Sequence, residues 1–406
     1  MPLPRLGTRS VRARTSPVAV AVLAGVLVVA LGGALLAVLA GGGRHGRAAG
    51  DGPRRITVEV SPSRCGRGWT RPEPGVQTFD LHNTSNGAAE VYLEDPGTKE
   101  VFGEVEGIGP GTTRQLTVRL GTGTYAFACV PDDADAVTGP RVHVAGGRRG
   151  PGARPVTGHD LIPPALAYQR WVAGGLDDVV RLTTRLRSAI DDGDLAAARA
   201  AWLPAHLRYE QLGAAYDAFG DADARINGTD AGLPDGVRDK DFAGFHRIEY
   251  GLWHGEPAAR LRAPAAALVK AAAGLRDGWA QTRMDPAQLG LRAHEILENT
   301  VQFELTGRTD YGSGSNLATA RANLDGTRAV LSRLRPLLTA RYAGLTGLDR
   351  DLGGARQLLD GFRHGARWTP LGDLTRAERE RTDAALGQLV ERLASVATLC
   401  DPRRTA

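Results

Sequence analysis

Between Ile56 and Ala145, apolar and polar residues alternate in short bursts: "ITVEV", "QTFDLHN", "AEVYL", "TRQLTVRL", "TYAFACV" and "RVHVA". Alternation turns one side of an extended chain toward a core and the other toward water, and the Val, Thr, Phe and Tyr content suits that conformation. Pro, Gly and Asn turn signals separate the runs, so this stretch predicts a small β-sandwich. "GGRRGPGARP", Gly146 to Pro155, then interrupts every period and marks a domain boundary. Beyond it the pattern changes. Segments 195–219, 264–282, 286–307, 316–338 and the last thirty residues carry apolar side chains at spacings of three and four, one face of a helix. Asp and Pro stand at several starts and Gly at several ends. Long helices with short connections predict a bundle, a fold that commonly builds metal sites from facing helices.

The first fifty residues are set apart as a targeting segment. Arg5, Arg9, Arg12 and Arg14 precede an uncharged stretch from Pro17 to Gly43, long enough to supply the about 20 residues of a bilayer-spanning helix. A cleaved signal peptide has a shorter apolar core, which favours an uncleaved signal-anchor, although Val38-Leu39-Ala40 resembles a small-residue cleavage site. Basic residues leading a first span stay inside. The bulk of the chain is then extracytoplasmic: single-pass at the cell membrane, or secreted if the segment is cut. Three units result: 1–50 cytoplasmic N-terminus and anchor, 55–146 sandwich, 156–403 helices.

A chain of 406 residues, 42% hydrophobic, has material for more than one core. Its net charge of +5 comes from arginine, since lysine occurs only at Lys99, Lys240 and Lys270. Arg181, Arg185 and Arg187 alternate with acids and apolar residues as solvated helix faces do, and no basic stripe interleaved with aromatics suggests a nucleic-acid partner.

The candidate chemistry starts at "GFHRIEYGLW", 244–253, where His246 and Glu249 stand three residues apart and share a helix face. Such a pair holds a metal or forms a buried hydrogen bond, and the spacing leaves both open. "RYEQ" adds Glu210, "FGDADARINGTD" adds Asp221, Asp223 and Asn227, and "HEILEN" adds His294, Glu295 and Glu298. An imidazole with carboxylates and an amide oxygen suits iron, manganese, zinc or calcium and suits Cu(I) poorly. A zinc peptidase would carry His-Glu-x-x-His on a helix. Here His246 and His254 are eight residues apart, and "HEILE" lacks its second histidine.

In the sandwich, Cys65 and Cys129 can form a disulfide outside the cytoplasm, leaving Cys400 over. A blue-copper centre is excluded. It needs two histidines and an axial methionine near the cysteine, whereas His143 follows Cys129 by fourteen residues and the only methionines are Met1 and Met284.

"GFHRIEYGLW", "RYEQLGAAYDAFGDADARI" and "NLATARANLDGTRAVLSRLRPLL" together resemble the imelysin-like family, and the two-body layout from Ile56 onward resembles its EfeO-type iron-uptake members. The resemblance implies a multidomain protein: membrane anchor, cupredoxin-like β-sandwich and all-α imelysin-like bundle. It implies a metal held by His246 and Glu249 with Glu210 and Glu298, and Asn227 as a neutral oxygen donor. In the β unit it implies a small site of Cys65, Glu90 and Cys129, the disulfide remaining the alternative. The cargo would be iron, ferrous or ferric, with zinc or copper as other candidates. The partners would be an Efe-type membrane permease, to which the iron passes, and a haem peroxidase. No reaction of its own is required. The alternatives are an interaction or scaffold protein whose site has degenerated, and a metallopeptidase.

This chain also departs from the pattern. Gly213 and Asn227 stand where such relatives carry acids, and Gly314 and Asn316 where some carry His and Asp. A unit charge at about 4 Å is worth about 4 kcal/mol at an effective dielectric of about 20. Losing carboxylates therefore predicts a weakened or altered site.

Overall fold

The computed structural model describes residues 55–132 and 134–402. The Pro17 to Gly43 stretch lies outside the described residues, and among those described no helix is long and apolar enough to cross a membrane.

The first unit is built from β1 (Arg55–Val60), β2 (Gly75–Asn83), β3 (Ala89–Glu94), β4 (Val101–Ile108), β5 (Thr113–Leu120), β6 (Gly123–Pro131), β7 (Val137–Thr138) and β8 (Val142–Val144). One sheet runs β1-β2-β5, with β1 parallel and β5 antiparallel to β2. The second runs β4-β3-β6-β7, and β8 also pairs with β6. Alternation does what period two requires: in β5, Leu116, Val118 and Leu120 are buried while Gln115, Thr117 and Arg119 are exposed. The inward residues of both sheets, among them Phe79, Leu81, Leu93 and Phe127, share one core. Trp69, from the β1–β2 connection, lies 5.1 Å from Phe79 and 5.7 Å from Phe127 between ring centres.

A disulfide joins Cys65 to Cys129 in this core, with Cα atoms 5.8 Å apart. The three-residue site of Cys65, Glu90 and Cys129 is therefore not assembled. Both sulfurs are consumed by the bond. Moreover, Cys129 pairs with Val91 and Glu90 with Val130, so Glu90 and Cys129 project from opposite faces of the sheet. The Glu90 carboxylate accepts a hydrogen bond from the Tyr92 hydroxyl at 2.6 Å.

The glycine-arginine stretch after β8 pairs back on the sandwich, where Ala153 bridges Val101 and the Gly150 N–H donates to the Arg119 carbonyl at 3.2 Å. The helical unit follows: α1 (Gly158–Asp191), α2 (Leu195–Glu210), α3 (Tyr216–Phe219), α4 (Asp221–Asn227), α5 (Gly244–Trp253), α6 (Ala258–Gly278), α7 (Leu289–Asn299), α8 (Asn316–Arg341), α9 (Leu345–Asp360) and α10 (Arg376–Leu399). A small ribbon of β9 (Arg363–His364) and β10 (Arg367–Trp368) precedes α10. The long α1 starts at a reciprocal cap between Thr157 and Asp160 and buries Leu161, Tyr168, Val172, Leu176, Val179 and Leu186 on one face. That face packs against α2 and α6, while α7 packs against α10.

Two close approaches bring the chemistry-bearing elements together. Gly244 opens α5 at φ +78°, and a Cβ there would stand 2.2 Å from the Ile226 carbonyl oxygen, so only glycine lets α5 begin against the end of α4. At Gly326 a Cβ would come within 2.6 Å of the Gln211 carbonyl oxygen, which seats α8 against the end of α2. The indole nitrogen of Trp202 donates to the Phe245 carbonyl at 3.0 Å and ties α2 to α5.

Candidate functional site

His246 and Glu249 face the interior together from α5, 2% and 1% exposed. His246 Nδ1 lies 3.2 Å from Glu249 Oε2. The other carboxylate oxygen is held by the loop before α8: Glu249 Oε1 accepts from the Tyr311 N–H at 3.1 Å, the Ser313 N–H at 3.2 Å and the Ser313 hydroxyl at 2.6 Å. Burial works against ionising Glu249, but the His246 and Ser313 hydrogen bonds and the imidazole charges outweigh it and hold the carboxyl below its usual value. The carboxylate on Nδ1 orients the ring and leaves its Nε2 turned away from Glu249. This is the arrangement by which outer carboxylates orient metal-binding histidines.

A cleft of about 210 Å³ opens beside this pair, lined by Glu210, Asn227, His246, Glu304, Thr309 and Asn323 among others. Glu249 lies outside the lining. Glu210, the last residue of α2, accepts from the Asn227 amide at 2.6 Å. With its nitrogen toward the acid, the Asn323 amide donates to the other Glu210 oxygen at 3.0 Å. Desolvation is the largest influence on Glu210, but His206, Asn227 and His246 together still lower its pKa.

Glu304 comes from a π-helical turn, Thr300–Glu304, that continues α7. Such turns rotate the following side chains off the α-helical phase and occur often at functional sites. Glu304 accepts from the Thr309 hydroxyl at 2.5 Å and from the Asn316 amide at 3.0 Å. Burial and then the nearby Glu210 charge push its carboxyl up to about 7. On the far side, Arg292 pairs with Glu295 at 2.6 Å and Asp217 at 3.2 Å.

Several buried polar atoms here have no hydrogen-bond partner: both ring nitrogens of His206, Asn227 Oδ1 and Asn316 Oδ1. One His206 ring nitrogen and the two amide oxygens, with the Glu210 and Glu304 carboxylates and the His246 ring, make a donor set that fits a cation of intermediate hardness. Among the described residues, no group of three or more His, Cys, Asp or Glu side chains is already arranged to hold a metal ion. The acids are instead engaged with amides, hydroxyls and imidazoles.

Of the residues singled out in the sequence, His246, Glu249, Glu210 and Asn227 come together, and Glu295 lines the same cleft from α7. Glu298 does not join them: its side chain is 45% exposed and lies 3.6 Å from His294 Nε2, while His294 Nδ1 faces the Val390 carbonyl at 3.0 Å. Asp223 accepts from the Tyr209 hydroxyl at 2.6 Å. Burial raises its pKa to about 6 against that hydrogen bond. His254 contacts the Tyr250 carbonyl at 2.9 Å on the exterior and offers no second ligand one turn from His246. His206 and Glu304 were not among the sequence candidates. The signal for His206 was present, four residues before Glu210 on the same helix face.

Comparison with known proteins matches the family model for imelysin, peptidase M75, over residues 165–396. The chain is similar to a Yersinia pestis protein described as iron uptake system component EfeO, 26% identical over 346 residues, 84% of this chain and 90% of that protein. An Escherichia coli K12 protein of the same description is 24% identical over 351 residues, 86% of this chain and 92% of that one.

Proposed function

The chain belongs to the imelysin family, and on that premise we propose that it is the extracytoplasmic metal-binding component of an iron-uptake system, capturing iron and passing it to a membrane permease. The observation that carries this reading is the α5 pair: a buried imidazole oriented by a saturated carboxylate, facing a cleft that also holds Glu210 and Glu304. The iron-uptake descriptions of the similar proteins agree with it.

In this reading His246, Glu210 and Glu304 contact the cargo ion, and Asn227 supplies a neutral oxygen. Glu249 fixes the His246 ring. The positions of Gly213 and Asn227, where a carboxylate was expected, make the site less negative and favour release over permanent storage. The sandwich, cupredoxin-like in this reading and braced by its disulfide, is a carrier domain without a copper ligand set. The first fifty residues tether the protein to the membrane beside the permease, and a haem peroxidase partner completes the system.

A second reading has one observation in its favour: each acid already has internal hydrogen-bond partners, as a packed interaction domain would. Titrating the protein with ferrous, ferric, zinc and cupric ions separates the two. Metal carriage predicts saturable binding that His246→Ala and Glu210→Gln each abolish. No binding at micromolar concentration in the unaltered chain would transfer the case to the interaction reading.

A further inference from the structure

We infer that His206 is a second imidazole ligand of the same site and that it sets the site's preference for a divalent first-row cation over harder ions. The inference rests on the metal-carrying reading above.

His206 is 2% exposed on α2. Its ring stacks on Trp202 at 4.8 Å between centres and packs against Phe245 at 5.3 Å, so its plane is fixed. Nε2 lies 3.2 Å from Glu210 Oε1, near enough for charge attraction, yet neither ring nitrogen makes an aligned hydrogen bond. A buried polar group left unanswered costs about 1–3 kcal/mol. Among buried histidines that expense is unusual unless another atom completes the site.

The ring spacing fits such an atom. A tetrahedral first-row ion holds imidazole nitrogen at about 2.0–2.1 Å, and adding about 1.1 Å to each ring centre puts two such rings about 5 Å apart. The centres of His206 and His246 are 5.2 Å apart. His206 itself stands behind the cleft lining, and Glu210, which lines the cleft and lies 3.2 Å from His206 Nε2, is the neighbour that joins them.

The chemistry follows from donor type. Carboxylates and amide oxygens alone favour hard ions, whereas two imidazoles favour ferrous iron, cobalt and zinc over manganese, calcium or magnesium. His206 thus offsets acids missing at Gly213 and Asn227 by changing the kind of ligand instead of restoring charge.

The test uses the full chain. Affinities for Co²⁺ and Mn²⁺, each added alone, are measured for the unaltered protein, His206→Gln, His206→Ala and His246→Ala. Imidazole nitrogens are counted by pulsed EPR on the Cu²⁺-loaded protein. Ligation by His206 predicts two imidazoles in the unaltered chain and one in His206→Gln. It predicts a Co²⁺ affinity lower by more than about 100-fold, beyond the about 10–100-fold cost of losing an outer partner, with a much smaller change for Mn²⁺. One imidazole in the unaltered chain, or equal losses for both ions, overturns the assignment. If His246→Ala abolishes binding and both His206 variants retain it, only this inference falls. If the unaltered chain binds neither ion, the carrier reading falls with it. The nitrogen count on the unaltered chain decides the matter even if His206→Ala does not fold.

Discussion

Asn83 in the sandwich and His206 in the helical unit are both polar and both buried, 0% and 2% exposed, and their surroundings treat them in opposite ways. The Asn83 amide donates to the Gly87 and Ile108 carbonyls at 2.9 and 2.7 Å. Its oxygen accepts from the Ser85 N–H at 2.9 Å and the Ser85 hydroxyl at 2.7 Å. Its bonding capacity is filled, and it does nothing but fasten a loop to the end of β4. His206, Asn227 and Asn316 each keep at least one buried atom unanswered, and they surround acids whose pKa values are pushed apart, Glu210 down and Glu304 up. A filled buried amide is architecture. Unfilled ones gathered around carboxylates mark where something else binds.

The sharpest way to break this contrast is to remove the brace. The Cys65–Cys129 disulfide closes a separation of 64 residues, worth about 4 kcal/mol by the chain-entropy relation. Cys65→Ser with Cys129→Ser is expected to lose stability of that order by thermal or urea unfolding while metal affinity in the helical cleft stays unchanged. A parallel loss of metal binding would mean that the two units are not functionally separate.

Next comes Glu304→Gln. Because its folded pKa of about 7 exceeds the ordinary 4.5, the acid stabilises the metal-free fold fully below about 4.5, and that contribution disappears as pH rises through 7. The difference is of order 3 kcal/mol. The glutamine variant is expected to be more stable than the parent above pH 8 by up to about that amount, with the gap closing toward pH 4, and to bind metal more weakly. Unfolding curves across this range check the sign.

Gly244→Ala is expected to cost about 2 kcal/mol, from its left-handed φ and the approach to the Ile226 carbonyl oxygen. Metal affinity should fall with it, because α5 must back away from α4. The smallest expected stability change, about 1 kcal/mol, belongs to Asn227→Asp. It replaces the amide that donates to Glu210 at 2.6 Å with a second acid. The metal-free protein should be less stable at pH 8 while metal affinity rises by about 10-fold, a combination that calorimetry and unfolding measured on one preparation can establish.

Much of this organisation was legible in the sequence. Alternation located the strands around Phe79 and Leu116, and three-and-four spacing located α8 and α10. Gly244, His246 and Glu249 could be read as one unit because the whole device lies within one turn and a half of helix. Glu304 could not. An α-helical projection from "HEILEN" leads to Glu295 and Glu298, and only the π-helical turn brings a later glutamate into the cleft. His206 was hidden for another reason. A histidine among Trp, Pro, Ala and Leu reads as core, and although its spacing from Glu210 was there to be read, its lack of an aligned hydrogen bond is something no residue pattern displays.

Calorimetric titration of the purified chain with ferrous iron under anaerobic conditions, in two buffers of different ionisation enthalpy, tests the central claim most directly. Saturable binding with net proton release is predicted, since His206 and Glu304 both hold protons more tightly than usual and must surrender them to a metal. That binding should vanish in His246→Ala and persist in the double cysteine variant. Heat that saturates without proton release, or that survives loss of His246, would contradict it.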